Sequence, residues 1–260
     1  MRVVAVHPDV VVAISRVWRT TCTVLRSGEE AFVVDSPVLP DELATLPAVL
    51  EQASFGVKGL LATHADWDHL LGPLAFPGAP LGVAETTAAR LRGAPGEAQR
   101  ELRAWDEELY VERERPLALG SVDPLPVPGH LGLGEVELEV HPADGHTEDG
   151  MAVWAPGVGV LVCGDYLSPV EIPVLSPGGS LGGYRATLER LTPLVERAQV
   201  VVPGHGEPLD PVRAGAILRE DLAYLDALER DGDRAPLPLA RRTSAQRKIH
   251  AANAERLSPR

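Results

Sequence analysis

Short runs of alternating or β-branched apolar residues open the chain. Val10–Ile14, Thr21–Leu25 and Ala31–Val34 are three of them, separated by Ser27-Gly28 and similar breaks, and they predict strands. The period then changes. Leu43, Leu46, Leu50 and Ala53 share one face of a helix over Asp41–Ala53, with Pro40 just before it. Val57–Ala62 is a short apolar strand that runs straight into His64, and Asp68–Ala75 has helical spacing. Glu85–Arg115 is a long charged region that predicts two helices broken at Gly93-Ala94-Pro95-Gly96. Strands resume at Gly134–Val140, where Val136, Leu138 and Val140 alternate with glutamates and predict one wet face. Ala152–Trp154 and Val158–Val162 predict a hairpin closed at Ala155-Pro156-Gly157. Helix Tyr184–Arg197, strand Val200–Val202 and amphipathic helix Val212–Glu229 follow. A polar linker at Asp231–Pro238 leads to a last helix at Thr243–Leu257.

Length and charge narrow the classes. A chain of 260 residues with 45% hydrophobic positions buries a sizeable core without staples. We expect one main domain over residues 1–230. Residues 231–260 are expected to be a linker and a basic helix, with Arg241-Arg242 and Arg247-Lys248, docked on that same domain. The net charge of −13 argues against nucleic acid or anionic lipid as a partner. No apolar run is long enough to span a membrane, and the start has no signal-peptide pattern. Two cysteines, Cys22 and Cys163, fit free thiols in a reducing compartment, so the expected location is the cytoplasm.

Chemistry concentrates in four clusters: Thr63-His64-Ala65-Asp66-Trp67-Asp68-His69, Gly145-His146-Thr147, Cys163-Gly164-Asp165 and Pro203-Gly204-His205-Gly206. Together they supply four imidazoles and three carboxylates, donors for zinc, iron or manganese. His64, His146, Asp165 and His205 each follow a predicted strand, where loops at one end of a sheet build sites. Side chains two apart on extended backbone point the same way, so His64 and Asp66 can grip one ion. Asp68 and His69 face a second. A carboxylate such as Asp165 can bridge two ions, and His146 and His205 would complete the two sets. Two ions about 3.5–4 Å apart lower the pKa of a shared water toward neutrality and give a hydroxide nucleophile.

In order and spacing these residues resemble the metallo-β-lactamase superfamily of hydrolases. That family carries His-x-His-x-Asp-His, then a lone His, then Gly-Asp, then Gly-His; the resemblance covers roughly residues 10 to 210. It implies a four-layer αββα sandwich with the metals at one edge between the sheets. By the same resemblance His64, Asp66 and His146 form site one, Asp68, His69 and His205 form site two, and Asp165 bridges. Asp35 matches an acidic position that ends an early strand and orients a metal ligand. Asp66 departs from the family, which has His there. The exchange adds negative charge and oxygen, which shifts metal preference from zinc toward iron or manganese. The flavodiiron branch of the superfamily has a carboxylate at this position and binds iron.

The resemblance thus implies two divalent ions, zinc foremost, and a hydrolase for a small ester, lactone or thioester, with Asp68 assisting the leaving group. Two alternatives stay open: an iron-dependent enzyme handling oxygen or sulfur, and a metal-binding module without catalysis. A glutathione thioester ranks lower as substrate, because the chain has two lysines and no basic cluster after Gly164-Asp165. Tyr184 is weighed as an oxyanion donor against packing. Trp67, Tyr166 and Cys163 are weighed mainly as packing residues, and His141 is the remaining histidine of interest.

Overall fold

Alternation along the strands creates the layers. The computed structural model describes residues 1–257. The first sheet takes β1 (Arg2–His7), β2 (Val10–Ile14), β3 (Thr21–Ser27) and β4 (Glu30–Val34) as an antiparallel meander. The chain then crosses through α1 (Pro40–Gln52) to β5 (Gly56–Ala62), through α2 (Gly72–Ala75) to β6 (Leu81–Ala84), and through α3 (Glu85–Gly93) and α4 (Glu97–Leu109) to β7 (Asp123–Leu125). From β4 to β7 the sheet is parallel. The second sheet holds β8 (Gly129–Leu133), β9 (Val136–Pro142), β10 (Met151–Ala155) and β11 (Val160–Val162), joined through α5 (Leu181–Arg197) to β12 (Val200–Val202). Its β11 and β12 are parallel. Helices α6 (Pro211–Asp231) and α7 (Ser244–Leu257) complete the described chain.

Three hydrophobic cores separate four layers. Val12, Phe32 and Val34 of the first sheet meet Leu138, Val140, Met151 and Val153 of the second between the sheets. The alternate residues face outward. Val24, Ala31 and Val33 pack under α1 and the neighbouring helices, while Ala152, Trp154 and Leu161 pack under α5 and α6. Each fully buried Val or Leu contributes about 1.5–3 kcal/mol relative to exposure. The architecture is an αββα sandwich. Cys22 and Cys163 are buried free thiols in the two different outer cores. No described helix is long and apolar enough to cross a membrane.

Most predicted elements are present, with instructive departures. The helix expected over Asp68–Ala75 is a 3-10 turn, Trp67–His69, followed by the one-turn α2. Pro73 lacks an N–H and fits only the first turn of a new helix, so the metal-ligand candidates sit in the tight turn instead. Helix α5 begins three residues before Tyr184, where Ser180 accepts a hydrogen bond from the Gly183 amide and caps it. The apolar patterns do not predict strands β1, β6, β7 and β8, which are short, glycine- or proline-containing, or at the edge.

The C-terminal segment is tied to the body by buried polar contacts. Arg241, one of the basic-tail residues, is buried, and its guanidinium donates to Asp221 of α6 at 2.6 Å. It also donates to the carbonyls of Ser168 and Glu171. On α7, Gln246 accepts from the Ile172 amide, and Asn253 both accepts from the Leu175 amide and donates to the Pro173 carbonyl. Arg241→Met should destabilise the protein by about 3–5 kcal/mol, because it leaves a buried Asp221 carboxylate uncompensated. Urea unfolding measures this. Combining it with Asp221→Leu should recover most of the loss.

Candidate metal centre

Each proposed ligand stands just past a strand end. His64, Asp66, Asp68 and His69 follow β5, His146 lies in the turn between β9 and β10, Asp165 follows β11 and His205 follows β12. Hydrogen bonds draw the two sheets together at this edge. The Met151 amide donates to the Thr63 carbonyl at 2.7 Å, and the Thr21 amide donates to the Gly204 carbonyl at 2.8 Å. Gly204 is required by close approach, since a Cβ there would strike the Asp165 carboxylate. Gly145 has φ +115, and a Cβ on it would run into the backbone of Tyr184.

The seven side chains converge on two points. Around the first, Asp66 Oδ2 lies 3.7 Å from His64 Nε2 and 3.3 Å from His146 Nε2. Asp165 Oδ2 lies 3.7 and 3.3 Å from the same two nitrogens. Around the second, Asp68 Oδ2 lies 3.5 Å from His69 Nε2 and 3.6 Å from His205 Nε2. Asp165 Oδ1 lies 3.2 and 3.3 Å from those nitrogens. A tetrahedral ion with bonds of about 2.0–2.1 Å has ligand-to-ligand edges of about 3.3–3.4 Å. His64 Nε2, His69 Nε2 and Asp165 Oδ1 are buried and have no hydrogen-bond partner among the described residues. Buried polar atoms without partners are costly, and these three face the same two points. The donor set therefore fits a pair of divalent ions.

The outer nitrogens fix the tautomers. His146 Nδ1 meets the Val174 carbonyl at 2.8 Å, and His205 Nδ1 meets the Trp18 carbonyl at 3.2 Å. A carbonyl only accepts, so in the neutral rings Nδ1 carries the proton and Nε2 presents its lone pair inward. His69 Nδ1 lies 2.9 Å from Asp35 Oδ2. The Thr63 hydroxyl donates to that same oxygen and so accepts from His64 Nδ1 at 3.0 Å. Asp35 thus touches His69 directly and His64 through Thr63. Its backbone, φ +59, is left-handed, a conformation that Asp tolerates better than most residues.

The metal-free electrostatics follow from crowding. Burial pulls the His146 and His205 rings toward the neutral form, yet the nearby carboxylates outweigh it and raise them to about 9 and about 10. Burial would raise the Asp66 carboxyl, but the hydrogen bond to His146 and the neighbouring cations hold it far below the usual range. His64 is pushed down, by burial first and then by His69.

Other candidates fall outside the centre. The Tyr184 side chain is buried and its hydroxyl donates to the Asp165 carbonyl at 2.9 Å, so it supports the loop beneath the carboxylate and does not reach the cleft. The expectation of an oxyanion donor is corrected accordingly. The Tyr166 hydroxyl donates to the Asp144 carbonyl and accepts from the His146 amide. Burial pushes the Cys163 thiol far up, which leaves it inert. Trp67 packs with Trp18 and Trp105, at ring separations of 5.5 and 5.2 Å. His141 pairs with Glu139 on the sheet.

Three residues around the centre escape the sequence reading. Arg90 of α3 contacts Asp66 and the fully buried Asp149. Asn253 bonds the peptide groups on both sides of Val174, whose carbonyl accepts the hydrogen bond from His146 Nδ1. Nothing local in the sequence marks any of them.

A sandwich with such a cluster at one sheet edge defines a class, and comparison with known proteins supplies the family. Residues 15–205 match the model of the metallo-beta-lactamase superfamily. The chain belongs to that superfamily. It is 31% identical over 150 residues to a hydroxyacylglutathione hydrolase of Rhodobacter capsulatus, an alignment that covers 58% of this chain and only 46% of that protein. Among solved structures, a metallo-beta-lactamase family protein from Thermus thermophilus superposes with a TM-score of 0.70 at 22% identity, covering 96% of this chain and 93% of the other. A metallo-beta-lactamase from Pontibacter korlensis gives 0.60 at 19%, covering 84% and 98%. At these identities the structures show a shared fold.

Metal uptake needs neutral imidazoles, whereas His146 and His205 hold an extra proton at pH 7 in the metal-free protein. Loading should therefore release protons at pH 7, and apparent affinity should rise as pH climbs toward 9–10. Calorimetric titration in buffers of different ionisation enthalpy reads both effects.

Proposed function

We propose that this protein is a dinuclear metal-dependent hydrolase acting on a small ester, lactone or thioester. The observation that carries it is the convergence of seven side chains into two four-cornered donor sets that share one carboxylate. In this assignment His64, Asp66 and His146 hold one ion and Asp68, His69 and His205 hold the other. Asp165 would serve both, and Asp35 positions His69 and, through Thr63, His64. When bound, two ions so placed lower the pKa of a shared water and polarise a carbonyl oxygen. The chain's own part is to keep the imidazoles turned inward and the floor of the cleft dry. Asp68 lies on the cleft wall, where it is placed to assist departure of the alkoxide or thiolate. Two buried free cysteines support a reducing, cytoplasmic location.

The cleft bounds the substrate. It measures about 990 Å³, and Glu97, Glu101 and Glu148 line it beside Asp66 and Asp68. Among the described residues none of these three glutamates has an ion-pair partner. Among the described residues Arg90 is the one basic residue on the wall, and its guanidinium is engaged by Asp66 and Asp149. Burial, then Asp66 and Glu97, raise the Glu101 carboxyl. Such a wall favours neutral or cationic acyl compounds and opposes the two carboxylates of a glutathione thioester. Asp66 keeps a second reading in view, iron in place of zinc with oxygen or sulfur chemistry.

Elemental analysis of protein purified without added metal separates the two: two zinc ions per chain support the hydrolase, and iron supports the alternative. Asp165→Ala should lose both ions and Asp66→Ala chiefly one, with chelator-sensitive hydrolysis of p-nitrophenyl esters lost in the first. Neutral thioesters should turn over with at least a tenfold higher kcat/KM than the glutathione thioester of the same acyl group. Equal rates would discard the charge argument.

A further inference from the structure

We propose that Arg90 is the positioning residue that makes Asp66 a ligand for one metal ion, in place of the imidazole usual at this position. The proposal rests on the two-ion assignment above. Arg90 Nη2 lies 2.9 Å from Asp66 Oδ1. Its other terminal nitrogen, Nη1, donates to Asp149 Oδ1, also at 2.9 Å. Asp149 Oδ2 in turn accepts from the Ala65 amide at 2.9 Å. The contacts close a ring: Asp66, Arg90, Asp149, and back to the backbone of Ala65, next to Asp66.

The ring meets two demands created by an aspartate here. The first is direction. A carboxylate offers two equivalent oxygens on a short arm, and left free it can rotate, chelate or swing toward solvent. With Oδ1 held by the guanidinium, Oδ2 is the oxygen turned toward His64 and His146. The planar fork of arginine suits this task, because it engages one carboxylate on each of two nitrogens. The second demand is charge. Replacing a neutral imidazole with a carboxylate adds one negative charge to a centre already holding Asp68 and Asp165. Arg90 offsets it from a largely shielded position, its side chain 12% exposed. Asp149, fully buried, fixes the guanidinium from behind. None of these contacts reaches the second donor set of Asp68, His69 and His205, so the effect should be confined to one ion.

The test is a titration of metal-free protein with cobalt(II), followed by its visible absorption, on wild type, Arg90→Met, Arg90→Lys, Asp66→His and the double variant Asp66→His/Arg90→Met. Wild type should take up two equivalents. Arg90→Met should keep one at wild-type affinity and bind the other about 10–100-fold more weakly, the range expected when a contact that orients a ligand is lost. Arg90→Lys should fall between, since it keeps the charge and loses the fork. The double variant should regain tight binding of the second equivalent, because a neutral imidazole needs no counter-cation. Asp66→His alone should bind it less well than the double variant, with Arg90, then held by Asp149 alone, still beside a dication. Unchanged affinities in both Arg90 variants would overturn the proposal, as would equal weakening of both ions. If Arg90→Met fails to fold, the comparison of Asp66→His with wild type and Arg90→Lys still decides it: Asp66→His binding both ions as tightly as wild type would refute the coupling. Wild type binding fewer than two ions would instead overturn the dinuclear assignment itself.

Discussion

Seven ionisable side chains, most of them buried, must aim lone pairs at two points a few ångströms apart. That demand governs the rest of the molecule. Crowded carboxylates repel, and buried imidazoles and carboxylates without partners are costly. Such a cluster persists only where the surrounding structure over-determines it. The sandwich meets this by bringing the ends of β5, β11 and β12 and the β9–β10 turn to one edge. Backbone hydrogen bonds from Met151 to Thr63 and from Thr21 to Gly204 lock that edge across the two sheets.

Around the donors lies a shell of groups with no metal-facing atom, and it carries much of the precision. Each imidazole has its outer nitrogen occupied, by a carbonyl for His146 and His205, by Asp35 for His69 and by Thr63 for His64. The shell reaches far along the chain. Val174 sits between two peptide groups held by Asn253 of α7, so the last described helix is coupled to the orientation of the His146 ring, more than one hundred residues before it. The Arg241–Asp221 pair anchors the same region from α6.

The cleft and the centre share one electrostatic character. Glutamates on α4 and in the loop bearing His146 surround a cluster that is itself rich in carboxylates. Arg90, the one cation on the wall among the described residues, is turned inward to Asp66 and Asp149. The scaffold fixes the candidate donors, while the helices and loops above them set the charge of the cleft.

The cluster of candidate donors was legible in the sequence. Histidine and aspartate in four ordered clusters, each just past an apolar run, carry their chemistry in their own side chains, and strand ends are local features. The layers were legible for the same reason, since alternation in β4, β9 and β10 is a property of neighbouring residues. Direction and long-range pairing were not. Tyr184 does lie near the site, but its hydroxyl points into the loop below it, because the phase of α5 depends on a cap at Ser180 and on packing against Tyr166. Arg90, Asp149 and Asn253 look like ordinary surface or helix residues until the fold brings them beside Asp66, Ala65 and Val174. Local chemistry and periodicity can be read from a chain. Which oxygen of a carboxylate faces two histidines and which faces an arginine from a distant helix is decided only when tertiary packing sets the distances.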